Sequence, residues 1–133
     1  MIYQFYQRQV FPHLLNQVMQ TSSLMDKRRE LLLPIEGEVL EIGFGTGLNI
    51  PFYGNVDVLY ALEPNPDIYH LAVERVQHAP FHVRHVQAHA EKLPFADQSL
   101  DHVVSTWTLC SIARLDQALA AIYRVLKPTG TLH

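Results

Sequence analysis

The pattern of apolar and polar positions divides the chain near residue 35. Over residues 2–20, apolar side chains recur every three or four positions, which predicts an amphipathic helix that Pro12 kinks or splits. A second helix is predicted over residues 23–33. We therefore treat residues 1–34 as an N-terminal helical segment and residues 35–133 as a separate core.

The core alternates short apolar runs with helical patterns. This alternation is typical of an α/β fold, in which a parallel sheet carries helices on its faces. Ligands of such sheets bind at the carboxyl ends of the strands, near the point where the strand order reverses. The predicted strands are residues 38–42, 56–62, 81–87 and 100–106, with helices over 67–77 and 115–126, a turn at 128–130 and a fifth strand from 131.

A glycine-rich turn, E-I-G-F-G-T-G, follows the first predicted strand and begins at Glu41. Glycine adopts positive φ angles and lets a ligand approach the main chain closely. A dinucleotide fingerprint requires G-x-G-x-x-G. Counted from Gly43, the third glycine of that fingerprint should stand at position 48, which is Leu48. Gly45 and Gly47 give the spacing E-x-G-x-G-x-G instead.

Glu63 ends the second predicted strand, 20 residues after Gly43. A carboxylate at this place can accept hydrogen bonds from both hydroxyls of a ribose. The alternative is a surface glutamate in a turn. Its position at a strand end and its distance from the glycine turn favour the ribose interpretation.

A third motif, A-E-K-L-P-F-A-D-Q-S-L-D, spans residues 90–101. With the glycine turn and Glu63, it resembles the class I S-adenosylmethionine-dependent methyltransferases, in the small-molecule (type 11) group that includes the ubiquinone and menaquinone biosynthesis enzymes. The resemblance covers residues 38–132. It implies a Rossmann-like, doubly wound parallel sheet whose cofactor is S-adenosyl-L-methionine and whose product is S-adenosyl-L-homocysteine.

The resemblance also implies the cofactor contacts. The acid before the turn reaches the cofactor's ammonium, the glycines pack against its amino-acid end, and the acid after the second strand binds the ribose. Many relatives have an acid at the position of His89 that accepts a hydrogen bond from the adenine amino group; here a neutral ring nitrogen replaces it, or the contact is lost. The implied cofactor-binding residues are Glu41, Gly43, Gly45, Gly47, Glu63, Pro64, Asn65, Ala90, Glu91 and Thr106, the last through its main chain.

The segment after the fourth strand faces the substrate in this family. Trp107 has two interpretations, an aromatic wall of that site or a core side chain. Cys110 is not expected to be a nucleophile, because methyl transfer needs no covalent enzyme intermediate. Residues 108–128 look especially like the alkyl-thiol methyltransferases. The helices of residues 1–34 cover the substrate in relatives, and no catalytic residue can be named.

Composition limits the partners. The net charge is −3 and basic residues are not clustered, which argues against nucleic acid; Lys27-Arg28-Arg29 is interpreted as a solvated helix face. One cysteine indicates a reducing, cytoplasmic setting, and no apolar run predicts a membrane span. The histidines at 82, 85 and 89 do not complete a metal site, because strand residues 82 and 85 face opposite ways.

The sequence therefore predicts methyl transfer to a small-molecule acceptor that is thiol-like or quinone-precursor-like. The alternative is a non-catalytic module that binds the cofactor or its product. A nicotinamide-dependent oxidoreductase is a third possibility, which Leu48 and the motif at 90–101 oppose. Relatives continue for three more strands after the turn at 128–130, and this sequence ends as the first of these begins, so we expect a sheet without its last strands. Such a chain is a fragment, or it self-associates through the open edge.

Overall fold

A computed structural model describes residues 1, 4, 10–18 and 20–133. Helix α1 spans Phe11–Val18 and helix α2 spans Ser22–Leu32, within a residue of the predicted second helix. The remainder of the first predicted helix, residues 2, 3, 5–9 and 19, lies outside the described residues, and so does the turn before Pro12 that would show a kink. No helix in the described ranges is long and apolar enough to cross a membrane.

Five parallel strands form one sheet in the order β3-β2-β1-β4-β5. The strand order reverses between β1 and β4, which is the predicted Rossmann-like arrangement. Buried aliphatic side chains make these segments strands, since both faces of the inner strands are covered. The strands are β1 (Gly37–Ile42), β2 (Val56–Leu62), β3 (His82–Val86), β4 (Leu100–Ser105) and β5 (Leu126–Leu132).

Two cores lie on opposite faces of the sheet. On one face, Leu32 of α2 packs with Val39 and Leu59 of the inner strands. On the other face, Ile122 of helix α5 (Leu115–Val125) packs with Leu40 and other strand residues. Helix α2 is thereby fixed to the sheet.

The helix predicted over 67–77 is divided into α3 (Pro66–His70) and α4 (Val73–Gln77), which together connect β2 to β3. The glycine turn is followed by a short 3-10 helix, Ile50–Phe52.

The predicted turn at residues 128–130 is wrong, because these residues lie within β5. Helix α5 ends at Val125 and the strand follows at once. Pro128 is tolerated because the pairing with β4 is interrupted there: the register passes from Leu100 with Leu126 directly to His102 with Thr131, so Pro128 has no ladder partner to lose. Gly130 fits because a Cβ there would approach the carbonyl oxygen of Asp101 to 3.0 Å.

Asp101 holds strands together at the end of the sheet opposite the glycine turn. Its carboxylate accepts hydrogen bonds from the backbone N–H of Glu38 and from Nζ of Lys127, both at 2.9 Å. These bonds lower the pKa of Asp101. Its role in this structure is therefore to join β1, β4 and β5.

Candidate functional site

Glu63 joins the two loops that follow β1 and β2. Its Oε2 accepts a hydrogen bond from the backbone N–H of Gly45 at 3.1 Å, and its Oε1 accepts one from the N–H of Asn65 at 3.0 Å. The residue is buried, with 6% of its surface exposed. Each carboxylate oxygen has a second acceptor direction, so the side chain remains able to accept two ligand hydroxyls.

The glycine turn has the backbone that its sequence predicts. Gly43, Gly45 and Gly47 have φ angles of +69°, +59° and +77°, which L side chains rarely adopt. The side chain of Thr108 packs so closely against Gly43 that a Cβ at this position would collide with it. The turn therefore requires glycine both for its φ angles and for the packing of the segment after β4.

Glu41 is buried behind the turn, with 2% of its surface exposed. Its carboxylate accepts hydrogen bonds from the Tyr53 hydroxyl at 2.7 Å and from Nδ2 of Asn49 at 2.9 Å. Burial raises the pKa of Glu41 to about 7, although both hydrogen bonds act in the opposite direction. Neutral solution thus lies in the range where this carboxyl group changes charge.

Asn49 connects Glu41 to the N-terminal segment. Its Oδ1 accepts a hydrogen bond from the guanidinium of Arg28 on α2, and its Nδ2 also donates to Oγ1 of Thr106 at 3.1 Å. Arg28 is 4% exposed and its guanidinium carbon lies 4.9 Å from the ring centre of Trp107. The interpretation of Arg28 as part of a solvated helix face is therefore wrong.

Neither Arg28 nor Asn49 was identified from the sequence. Asn49 had a weak signal, since it is a polar residue in the short apolar stretch that follows the glycine turn. Arg28 had none, because its burial depends on a partner 21 residues away. Burial also lowers the pKa of Arg28.

The residues expected near adenine have different neighbours. Oδ1 of Asn65 accepts a hydrogen bond from the N–H of Asp67 at 2.9 Å and so begins α3. Ala90 is buried, whereas Oε1 of Glu91 accepts a long bond, 3.4 Å, from the N–H of Arg114 before α5. His89 is exposed.

A stacked ring pair lies beside Glu63 and was not predicted. The rings of His85 and Tyr69 are parallel within 3°, with centroids 3.7 Å apart. Nε2 of His85 is 3.0 Å from the carbonyl oxygen of Glu63. This pair supports the end of β2 from the side of β3.

The segment after β4 settles the two interpretations of Trp107. The residue is 46% exposed and has a φ of +57°, so it is not a core side chain. It lines a groove of about 650 Å³ between α2 and the ends of β4 and β5, and Leu31 and Ile35 line the same groove. The carbonyl of Thr106, expected to contact the cofactor, accepts a hydrogen bond from the Thr108 hydroxyl at 3.1 Å.

The groove and the glycine turn are adjacent and distinct. Neither Glu63 nor any glycine of the turn lines the groove, while Arg28 and Thr106 line it and also join the network around Asn49. The structure thus brings together Glu41, Glu63, the three glycines and Thr106 at the carboxyl ends of β1, β2 and β4. This is the edge of the sheet where the strand order reverses, and it is where a ligand is expected.

Comparison with known proteins assigns the chain to a family. A family model described as a methyltransferase domain matches residues 40–133. The thiol S-methyltransferase TMT1B of Rattus norvegicus is 32% identical over an alignment of 136 positions, which covers 92% of this chain and 55% of the relative. The ubiquinone/menaquinone biosynthesis C-methyltransferase UbiE of Blochmanniella pennsylvanica is 34% identical over 100 residues, which cover 71% of this chain and 39% of that protein.

A solved structure supports the fold. A candidate S-adenosyl-L-methionine-dependent methyltransferase from Methanococcus maripaludis superposes with a TM-score of 0.77 at 20% identity, over 91% of this chain and 60% of that one. The chain spans about half the length of the curated thiol methyltransferase that it matches. Because the family model covers well over half of the residues, the chain belongs to the methyltransferase domain family, and it has the class I, Rossmann-like fold.

Proposed function

We propose that this chain binds S-adenosyl-L-methionine and forms the cofactor half of a methyltransferase that acts on a small molecule. The observation that carries the proposal is the position of Glu63, whose carboxylate touches the glycine turn at the carboxyl ends of β1 and β2. A ribose placed against this carboxylate lies beside three glycines with positive φ. The same edge of the sheet holds Glu41, whose carboxyl group suits the ammonium of the cofactor's methionine group.

The residues fit the cofactor in three parts. Glu63 accepts hydrogen bonds from the ribose hydroxyls. Pro64, Asn65, Ala90 and Glu91 border the adenine side, and Glu41 with the glycine turn borders the methionine side. Asn65 and Glu91 already make bonds in the structure, so their role is to shape the loops as much as to touch the ligand.

The bound cofactor supplies an electrophilic methyl group on a sulfonium centre. A thiol or hydroquinone acceptor would take this methyl group in exchange for its own proton, which would be released to solvent, and S-adenosyl-L-homocysteine would leave. The chain's contribution is to hold the two reactants in line and to exclude water. Methyl transfer requires no covalent intermediate on the protein, so this proposal gives Cys110 no role in the step.

The acceptor is proposed to be thiol-like or quinone-precursor-like. Both ideas come from the relatives, which are named for thiol S-methylation and for ubiquinone and menaquinone biosynthesis. The groove beside Trp107 supports an apolar acceptor, because its walls include Leu31, Pro34 and Ile35. In this proposal residues 1–34 cover the acceptor, and α2 provides one wall of its site.

A cytoplasmic location is also part of the proposal. It is supported by the single, exposed Cys110, which suits a reducing compartment. The net charge of −3 gives no electrostatic reason to expect nucleic acid as a partner.

Calorimetric titration with S-adenosyl-L-homocysteine tests the proposal, with Glu63→Ala as the informative variant. We expect the wild-type chain to bind and the variant to bind at least tenfold more weakly, which is about 1.4 kcal/mol. Glu74→Ala, which removes an exposed carboxylate from α4, is the matched control and should bind as the wild type does. A folded wild-type chain that does not bind this ligand would contradict the proposal.

A second measurement distinguishes the enzyme from a binding module. The chain is incubated with the cofactor and with a panel of alkyl thiols and hydroquinones, and formation of S-adenosyl-L-homocysteine is followed. Product formation with one acceptor class identifies the chemistry. Cofactor binding without product for any acceptor favours the alternative, a module that binds without turnover.

A further inference from the structure

A buried cation with an unused hydrogen-bond donor lies beside the proposed cofactor site. Arg28 is 4% exposed, and its Nε–H has no hydrogen-bond partner in the described structure. Leaving such a donor unpaired in the interior costs free energy, so natural structures rarely retain one without a ligand or water to satisfy it. The guanidinium of Arg28 is therefore a candidate binding site for an anionic group.

The surroundings of Arg28 favour an anion that arrives with a ligand. Its guanidinium donates to a neutral amide, that of Asn49, and no carboxylate is within ion-pair distance of it among the described residues. The groove that it lines also includes Ser105, whose hydroxyl is the other buried side-chain group that lacks a partner there. Two unsatisfied donors thus line the same groove, where α2 meets the end of β4.

We propose that Arg28 binds the α-carboxylate of the cofactor's methionine group. This inference rests on the proposed function. The argument is one of spacing: Asn49 bonds to Glu41 on one side and to Arg28 on the other. An amino-acid group carries its ammonium and its carboxylate on the same carbon atom. Glu41 and Arg28 are held on either side of the Asn49 amide, so the ammonium could lie near Glu41 while the carboxylate lies near Arg28.

The assignment makes α2 part of the cofactor site. The bidentate geometry of a guanidinium suits a carboxylate, and a charge-assisted bond in a buried place is strong. Trp107 lies on the face of the Arg28 guanidinium and limits the directions in which it can move. Binding of the carboxylate would then couple the N-terminal helix to the cofactor, so that α2 is held in place when the cofactor is bound.

The test compares two ligands with two variants of the full chain. S-adenosyl-L-homocysteine carries the carboxylate, and S-adenosyl-3-thiopropylamine keeps the amine but lacks it. We expect Arg28→Gln to weaken binding of the first ligand at least tenfold and to change binding of the second less than twofold. Arg28→Lys, which keeps the charge, should recover part of the affinity for the first ligand.

Arg29→Gln is the matched control. Arg29 is the next residue of α2, is exposed and rests near the ring of Phe52. This variant removes the same charge from the same helix and should bind both ligands as the wild type does. Thermal unfolding of each variant identifies any that fail to fold.

Each other outcome overturns one specific statement. If Arg28→Gln weakens the binding of both ligands equally, Arg28 acts through the fold and the assignment is contradicted. If the binding of S-adenosyl-L-homocysteine is unchanged, Arg28 does not contact the carboxylate, and the assignment is contradicted as well. If Arg29→Gln weakens binding as much as Arg28→Gln, the effect is one of general charge, which also contradicts it. A wild-type chain that binds neither ligand contradicts the proposed function itself.

Discussion

Glu41 places an ionisable group in the interior of the sheet, where its charge is costly. The free carboxylate would be solvated by water in the unfolded chain, but in the folded chain its solvation comes from the Tyr53 hydroxyl and the Asn49 amide. These two bonds do not fully replace water, which is why the pKa of Glu41 rises to about 7. A ligand's ammonium would provide the missing compensation.

Glu41 should make the free protein less stable as the pH rises through the neutral range. The pKa is about 7 in the folded chain and 4.5 in the unfolded one, so between these values the folded state binds more protons. The free energy of unfolding then falls with increasing pH, by about 3 kcal/mol at most over this interval. Urea unfolding from pH 5 to pH 8 measures this, and Glu41→Gln should flatten the profile.

The control for this experiment is Glu36→Gln, which changes an exposed glutamate just before β1. Its profile should run parallel to that of the wild type. The quantity to compare is the difference between wild type and variant at each pH, because contributions common to both proteins cancel in that difference. A Glu41→Gln profile parallel to the wild type would show that Glu41 does not carry the raised pKa.

At the scale of elements, the position of α2 depends on the turn before β2. A Cβ at Gly54 would collide with the carbonyl oxygen of Leu33, at the C-terminal end of α2. The helix and the turn are in contact there without a side chain between them. Since Arg28 is on the same helix, any shift of α2 is transmitted to the network around Asn49.

Gly54→Ala should therefore destabilise the protein and weaken cofactor binding together. The contact is with backbone, which cannot move aside cheaply, so we expect a loss of about 1–3 kcal/mol in the free energy of unfolding. Asn55→Ala changes the neighbouring, exposed residue of the same turn and is expected to have little effect. Denaturant unfolding and ligand titration of both variants make the comparison; an unaffected Gly54→Ala would mean that α2 is not held at this point.

The elements also show what a sequence can predict. The bounds of β2 agree with the prediction, because its apolar run ends sharply at Val56 and Leu62. The junction of α5 and β5 does not agree: Pro128 and Gly130 indicate a turn by composition, but both lie in β5 where its pairing with β4 is interrupted. Where such an interruption falls depends on the register between two strands, which local sequence does not reveal.

The site was predictable to the extent that its chemistry is local. Glu41, Gly43 and Glu63 stand at strand ends that the apolar pattern locates, and the structure brings them to one edge of the sheet. Arg28 and Asn49 were missed because their role comes from a contact between distant parts of the chain. A buried charge can be identified only when its partner is known.

At the scale of the whole molecule, the described sheet has two edges, β3 and β5. In β5, Lys127 and Pro128 protect the first half of the strand, because a charge and a missing N–H both discourage pairing. The second half has no such protection. The N–H of His133 donates to the carbonyl of Val103, so the alternating pattern directs the N–H of Leu132 away from the sheet.

We propose that the chain self-associates through this second half of β5. Leu132 is 36% exposed, and a net charge of −3 provides little repulsion between copies. Leu132→Lys should shift the chain toward the monomer, because a charge on an edge strand opposes pairing with another edge. Tyr123→Lys, on the exposed face of α5, adds the same charge elsewhere and should leave the association unchanged. Sedimentation velocity over a wide range of protein concentration measures the effect. A wild-type chain that remains monomeric throughout contradicts the proposal, and so does equal dissociation in both variants, because the effect is then not specific to the edge of β5.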